Sequence, residues 1–160
     1  MEKAREFLEK KAADDGYGVA DLIIPPHKPH AESTFYEYFL TKGIKVDRLD
    51  SDSIFCSFTV PPRLTDSDGN FAAGAIASII DEVGSAAIHE PGQPMDLSVD
   101  TSISYLSPAK VNDELEIISR RLGRLGSYAA ASVTLRNKQT GEIVAEGRHS
   151  YFSRRLPSKL

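Results

Sequence analysis

Asp81 is the residue with the most chemistry to offer. It stands in Gly-Asn-Phe-Ala-Ala-Gly-Ala-Ile-Ala-Ser-Ile-Ile-Asp-Glu-Val-Gly-Ser-Ala-Ala-Ile-His-Glu-Pro-Gly (69–92). This mostly apolar segment predicts one long helix, with Asn70 as N-cap and Pro91-Gly92 as stop. Adjacent helix positions point about 100° apart, so Asp81 and Glu82 face different surroundings. Positions 74, 77, 78, 81, 84 and 85 share a face and hold Gly, Ala, Ser, Asp, Gly and Ser. Asp81 is therefore the one large polar group on a stripe of small residues, where a ligand or another segment can come close. A carboxylate held there in a low dielectric suits the work of acid, base or nucleophile. For the helix taken alone, a solvated surface pair is the plainer alternative.

Other reactive residue types offer less. Cys56, the single cysteine, sits in Ser-Ile-Phe-Cys-Ser-Phe and reads as a buried structural thiol. It excludes an internal disulfide framework and fits a reducing compartment. His27 and His30, in Pro-His-Lys-Pro-His, have no acidic or cysteine neighbours, so no metal site is expected. His89 is expected to meet the helix C-terminus, and His149 to be structural on a strand. No Gly-x-Ser-x-Gly elbow or Gly-rich phosphate loop occurs. Lys110, Arg120, Arg121 and Arg124 gather around a Gly-bearing turn in a chain of formal net charge −4. Such a patch suits the phosphates of a nucleotide tail, with Gly123 and Gly126 admitting close backbone approach. A solvated hairpin is its alternative. The negative balance argues against a nucleic-acid partner, and no apolar run has the length of a membrane span.

The elements that must hold these residues follow from pattern. At 160 residues, 41% apolar and 26% charged, the chain is one globular domain with a core of its own. Residues 2–13 predict an amphipathic helix, and 17–30, with Pro25, Pro26 and Pro29, an extended surface segment. A short aromatic helix is expected over 33–40, closed by Gly43. Strands are expected at 44–50 and 53–60. Beyond the long helix, Leu97, Val99, Thr101, Ile103 and Tyr105 alternate with Ser98, Asp100, Ser102 and Ser104, a strand pattern. Three more strands are expected near 113–122, 127–136 and 142–152, turning at Gly123–Gly126 and Asn137–Gly141. Two strands, one long helix and a four-strand meander make an α+β layer. One sheet face stays partly open, so a homo-oligomer is expected.

That order, with Asp81 partway along the helix and Ile-Ser-Tyr-Leu-Ser-Pro-Ala-Lys (103–110) after the third strand, resembles the hot-dog-fold acyl-CoA thioesterases. The likeness is to the phenylacetate-type branch that includes the short mammalian acyl-CoA thioesterases. It runs from about 45 to 152 and is most specific in 96–110 and in Asn137-Lys138, Thr140-Gly141 and Gly147-Arg148-His149. The resemblance implies an antiparallel sheet wrapped around one long central helix. Residues 1–44 are then an N-terminal extension, 45–153 the thioesterase domain and 154–160 a tail.

For the site, the resemblance implies Asp81 as general base or nucleophile and Ser98 as the residue that places water. The backbone N–H groups of Ala73 and Gly74 would form the oxyanion hole. Where the family carries Asn and His-Gly-Gly, this chain has Asp66 and Ala72-Ala73-Gly74. Alanine keeps its N–H, and a helix N-terminus aims its dipole at developing negative charge. In the family the site spans a dimer interface, with helix start from one subunit and acid from the other, and dimers pair as tetramers. Coenzyme A would lie along Tyr105, Leu106, Ser107, Pro108, Ala109 and Lys110, and along Gly123, Arg124, Leu125, Gly126, Ser127 and Tyr128. Acyl-pocket walls would come from Ile76, Ile80, Val83 and the aromatic segment 35–39. No cofactor is expected, because coenzyme A belongs to the substrate.

The chain ends in Ser158-Lys159-Leu160, the tripeptide read by the peroxisomal import receptor. The expectation is therefore a peroxisomal acyl-CoA thioesterase. A non-catalytic acyl-CoA-binding protein on the same fold is the alternative, and Ala72-Ala73 is its best argument. A hydroxyacyl-CoA dehydratase would need a His beside the acid, and His89 lies two turns beyond it.

Overall fold

The computed structural model describes residues 35–90 and 93–153. The expected helix at 2–13, the extended segment 17–30 and the tail bearing Ser158-Lys159-Leu160 lie outside the described residues. In chain order the elements are α1 (Phe35–Thr41), β1 (Lys45–Leu49), β2 (Ser53–Thr59), α2 (Ala73–Ile88), β3 (Leu97–Tyr105), β4 (Glu114–Leu125), β5 (Tyr128–Asn137) and β6 (Ile143–Phe152). Gly43, at φ +103°, closes α1 and turns the chain into β1. A 3₁₀ turn at Pro62–Leu64 then clamps the end of α1, with Arg63 Nε donating to the Phe39 carbonyl at 2.8 Å.

All strand pairs are antiparallel, in the order β1-β2-β4-β5-β6-β3. The expected four-strand meander is thus corrected. Of those four strands only β4, β5 and β6 are consecutive neighbours, and β3 pairs on the far side of β6. The return path is fixed by backbone bonds at the start of α2. Phe71 N–H donates to the Ala109 carbonyl at 2.7 Å and Val111 N–H to the Gly69 carbonyl at 3.0 Å. These carry the chain past the helix to β4, beside β2.

The long helix packs on every strand from β2 to β6. Its Ala75, Ile76, Ile79, Ile80, Val83, Gly84 and Ile88 are buried. Those up to Val83 meet Phe58, Leu115, Ile117, Val133, Leu135 and Val144 from the sheet, and Ile88 packs with Ala129, Ala131 and Tyr151; each large apolar side chain so buried contributes about 1.5–3 kcal/mol. Ile80 and Val83 belong to this core, 0% and 6% exposed. Two glycines set how near β6 comes to the helix. A Cβ on Gly147 would stand 2.6 Å from Ile80 Cγ2, and one on Gly84 2.4 Å from the Tyr151 hydroxyl.

Of four register shifts in the sheet, two bear on the candidate site residues. The β3–β6 register shifts between Ser98 and Asp100, and the β4–β5 register between Arg121 and Gly123. The second, with Gly123 at φ +150°, lets β4 run on to Leu125. The hairpin therefore closes at Gly126-Ser127 instead of across 123–126. β1 and β3 are the sheet edges, and β3 leaves Leu97 and Val99 largely exposed. Among the described residues no helix is long and apolar enough to cross a membrane.

Candidate active site

Asp81 lies midway along α2 with its side chain 47% exposed. The buried Tyr151 hydroxyl donates to its backbone carbonyl at 3.2 Å, and burial, foremost, pushes that phenol's pKa well up, so it keeps its proton. Ser98 Oγ donates to Asp81 Oδ1 at 3.0 Å. The bulge in β3 explains this contact. Simple alternation puts Ser98 on the opposite face from Thr101 and Ile103, yet Ser98 pairs with inward-facing Tyr151 and Thr101 with inward-facing His149. One extra residue re-aims the serine at the acid.

His149 is the functional candidate that sequence reasoning passed over as structural. It is 1% exposed and stacks on Tyr151 with ring centroids 4.0 Å apart. Its Nδ1 lies 3.2 Å from Asp81 Oδ1, but the ring N–H is out of line with that oxygen. Neither ring nitrogen has an aligned hydrogen-bond partner among the described residues. Leaving a buried polar group so placed costs about 1–3 kcal/mol. Burial lowers the imidazole pKa, against the upward pull of Asp81 and Asp100, so the ring is held neutral. Alternation in the sequence puts three β6 residues on one face, but only the structure shows what that face meets. Gly147, His149 and Tyr151 alternate, and their common face receives the helix at Ile80, Asp81 and Gly84.

Glu82 diverges from Asp81 as the helix geometry requires. It is half-buried, and desolvation, then Glu37 and Asp81, raise its pKa. On the stripe itself, Tyr36 of α1 pairs its hydroxyl with Ser78 Oγ at 3.0 Å, and Ser78 Oγ donates to the Gly74 carbonyl at 3.0 Å. The aromatic segment therefore lies against the helix between its start and the acid.

The helix start differs from expectation. Asn70 is not the N-cap, because it forms a β-bridge with Lys110 and its side-chain amide donates to Asp66 Oδ2 at 3.2 Å. Ala72 takes the cap position, extended at φ −63° and ψ 136°, with no side-chain cap. The exposed Ala73 and Gly74 thus open the helix with first-turn N–H groups that no capping side chain covers. Asp66 is tied up in its own loop. Its Oδ1 accepts from the N–H groups of Asp68 and Asn70, both at 2.9 Å. Those bonds, Asn70's first, hold its pKa low. An ionised carboxylate accepts and cannot donate, so Asp66 offers no hydrogen bond of the kind an Asn amide could give at that position.

Beside the helix start is an apolar cleft of about 320 Å³ lined by Phe71, Ala73, Ile76 and residues Tyr105, Leu106, Ser107, Pro108 and Ala109. Tyr105 donates its hydroxyl to the Ala73 carbonyl at 3.1 Å, and Ser107 Oγ donates to the Ile143 carbonyl at 2.8 Å. Lys110 Nζ reaches the Asp68 carbonyl at 3.4 Å. The first expected coenzyme A segment and the expected oxyanion donors are therefore brought together.

The second segment is not brought to them. Gly123, Arg124, Leu125, Gly126, Ser127 and Tyr128 lie at the other end of β4, roughly 35–40 Å along the strand. The expected basic patch is corrected too. Arg120 pairs with Ser132 on the outer face, whereas the bulge at 121–123 turns both Arg121 and Arg124 inward. Arg121 Nε donates to the Ala87 carbonyl at 3.4 Å and Arg124 Nη2 to the Ile88 carbonyl at 3.3 Å. Cations there complement the helix C-terminus. Arg124 also bonds Ser153 Oγ and lies 3.6 Å from Glu90 and 3.9 Å from Asp96. His89 is the C-cap, its N–H donating to the Ser85 carbonyl at 3.0 Å. Among the described residues no group of three or more His, Cys, Asp or Glu side chains could hold a metal.

A six-stranded antiparallel sheet packed on one long helix, with an acid at mid-helix and an uncapped helix start, defines a thioesterase of the hot-dog class. Comparison with known proteins places the chain there directly. The thioesterase superfamily model matches residues 68–144. Mouse acyl-coenzyme A thioesterase 13 is 36% identical over 101 residues, 62% of this chain and 71% of that protein. Zebrafish thioesterase superfamily member 2 superposes with a TM-score of 0.68 at 26% identity, covering 78% of this chain and 88% of that one. A hypothetical thioesterase of Streptococcus pneumoniae, solved with coenzyme A, shares the fold at a TM-score of 0.66 and 17% identity, over 73% and 93% of the two chains. This chain belongs to the thioesterase superfamily.

Proposed function

We propose that this protein hydrolyses acyl-CoA thioesters to free acid and coenzyme A, with Asp81 as the activating group. The observation that carries the reading is the division of labour along α2. Asp81 and Ser98 form one half-site, and the uncapped N–H groups of Ala73 and Gly74, beside the cleft lined by Tyr105–Ala109, form the other. Seven or eight helix residues separate them, about 10–12 Å of rise. The donors must reach the thioester oxygen while the acid reaches the attacking water, and this separation along one helix supports a site shared between two chains. The exposed edge β3 carries Ser98, and pairing with β3 of a second copy would bring its helix start over the acid. A homodimer follows from that reading, and the family resemblance supports a tetramer of two such dimers.

In the completed site Asp81 takes a proton from water placed by Ser98, and the hydroxide attacks the carbonyl carbon. Ala73 and Gly74 N–H groups stabilise the oxyanion, the C–S bond breaks, and the leaving thiolate takes back the proton held by Asp81 to depart as coenzyme A thiol. Direct attack by the carboxylate, giving an anhydride that water opens, uses the same groups. The same pairing would supply the Gly123–Tyr128 hairpin from whichever chain lies nearer the nucleotide. The coenzyme A bound to the pneumococcal fold neighbour and the name of the mouse relative support this substrate class. Ser158-Lys159-Leu160 supports a peroxisomal site of action and an import-receptor partner.

One observation favours a binding-only reading. With Ala72 and Asp66 at the helix start, the side-chain donors of the family pattern are absent, and polarisation falls to backbone N–H groups alone. Thiol release from aliphatic and aromatic acyl-CoAs, wild type beside Asp81→Asn, separates the two. Turnover abolished by the substitution is the expected result. A folded wild type that binds coenzyme A and releases no thiol would leave the binding reading in place.

A further inference from the structure

His149 occupies a place where a phenylalanine would pack. It is 1% exposed on the inner face of β6, and its ring stacks on Tyr151 at 4.0 Å. Neither nitrogen has an aligned partner, and the near polar atom is Asp81 Oδ1, 3.2 Å from Nδ1. Ser98 Oγ holds the same oxygen at 3.0 Å. Asp81 Oδ2 makes no hydrogen bond among the described residues.

We propose that His149 is a positioning residue for the hydrolysis, its Nδ1–H closing on Asp81 Oδ1 to fix the carboxylate between β3 and β6 with Oδ2 turned to the reacting water. The proposal rests on the assignment of Asp81 as the activating acid. A small rotation of the ring brings its N–H into line, and hydrogen bonds in resting sites commonly tighten only in the reacting complex. Two donors on one carboxylate oxygen fix the rotation of the group about its Cβ–Cγ bond. Asp100 and Asp81 are the acids whose charge bears on the ring, and Tyr151 covers its face, its own hydroxyl spent on the Asp81 carbonyl. The imidazole is a donor through Nδ1 in only one neutral tautomer, and the adjacent carboxylate selects that tautomer.

The test is steady-state thiol release by full-length wild type and variants, with folding followed by circular dichroism. His149→Phe keeps the stacked ring and removes both nitrogens. Its kcat is expected at least about tenfold below wild type with KM within about twofold, the pattern of an interaction made only in the transition state. His149→Asn places an amide N–H near the Nδ1 position and is expected to recover most of that kcat. His149→Gln, whose amide falls near Nε2, is expected to stay low. A folded His149→Phe with wild-type kcat would overturn the proposal. Should that variant fail to fold, equal kcat values for the Asn and Gln variants would overturn it instead. Asp81→Asn, assayed alongside, keeps the two ideas apart. An active Asp81→Asn would defeat the function itself, whereas an inactive one with an unaffected His149→Phe would defeat only the role of His149.

Discussion

Asp81 and Ser98 meet through one oxygen, and the two substitutions should separate by size. Asp81→Asn removes the base and is expected to lower kcat by about 10²–10⁴-fold. Ser98→Ala removes one hydrogen bond to Oδ1 and is expected to lower it by about tenfold. Thiol release under saturating acyl-CoA checks both. His149 makes a second prediction in pH. Its folded pKa is depressed by burial below the ordinary value of 6.5. The unfolded chain therefore binds this proton first, and stability falls as pH drops below about 6.5 until the folded value is passed. Urea midpoints between pH 7 and 5 should fall more steeply for wild type than for His149→Phe, and parallel curves would refute that. At this scale the sequence showed Asp81 plainly, because a carboxylate on a stripe of Gly, Ala and Ser has no packing rationale. Ser98 was reachable only through resemblance, since alternation places it on the wrong face and a bulge corrects it. His149 and the inward Arg121 and Arg124 depend on register across strands distant in sequence, which no local pattern records.

Among the elements, α2 and β6 are held at a separation that two glycines permit. Gly147→Ala would press a methyl against Ile80, and Gly84→Ala against the Tyr151 hydroxyl. Each is expected to destabilise by about 1–3 kcal/mol, read as a lowered urea midpoint at unchanged slope. The helix start allows a cleaner intervention. Ala73 is the first helical residue and Ala72 before it is already extended, so Ala73→Pro removes one N–H at a position where proline is tolerated. The expected outcome is a 10²–10³-fold lower kcat with stability nearly unchanged. Loss of fold, or retention of full rate, would both count against Ala73 as oxyanion donor. Strand and helix positions were legible from periodicity, within a few residues. The place of β3 was not, because alternation marks a strand and is silent on its neighbour. Its position follows from the backbone bonds that tie Phe71 to Ala109 and Gly69 to Val111.

For the whole molecule, the central claim is that acid and oxyanion donors from two chains make one site. An edge strand that exposes Leu97 and Val99 and carries Ser98 suits such a join, and a closed two-fold dimer makes both sites equivalent. The most direct measurement is thiol release by a mixture of Ala73→Pro and Asp81→Asn chains, co-refolded in equal amounts. Each variant alone is expected to keep about a hundredth of wild-type activity or less. A mixed dimer holds one site with both defects and one with neither, so the mixture should recover about a quarter of wild-type activity. No recovery from a mixture shown to contain mixed dimers would contradict a site shared between chains.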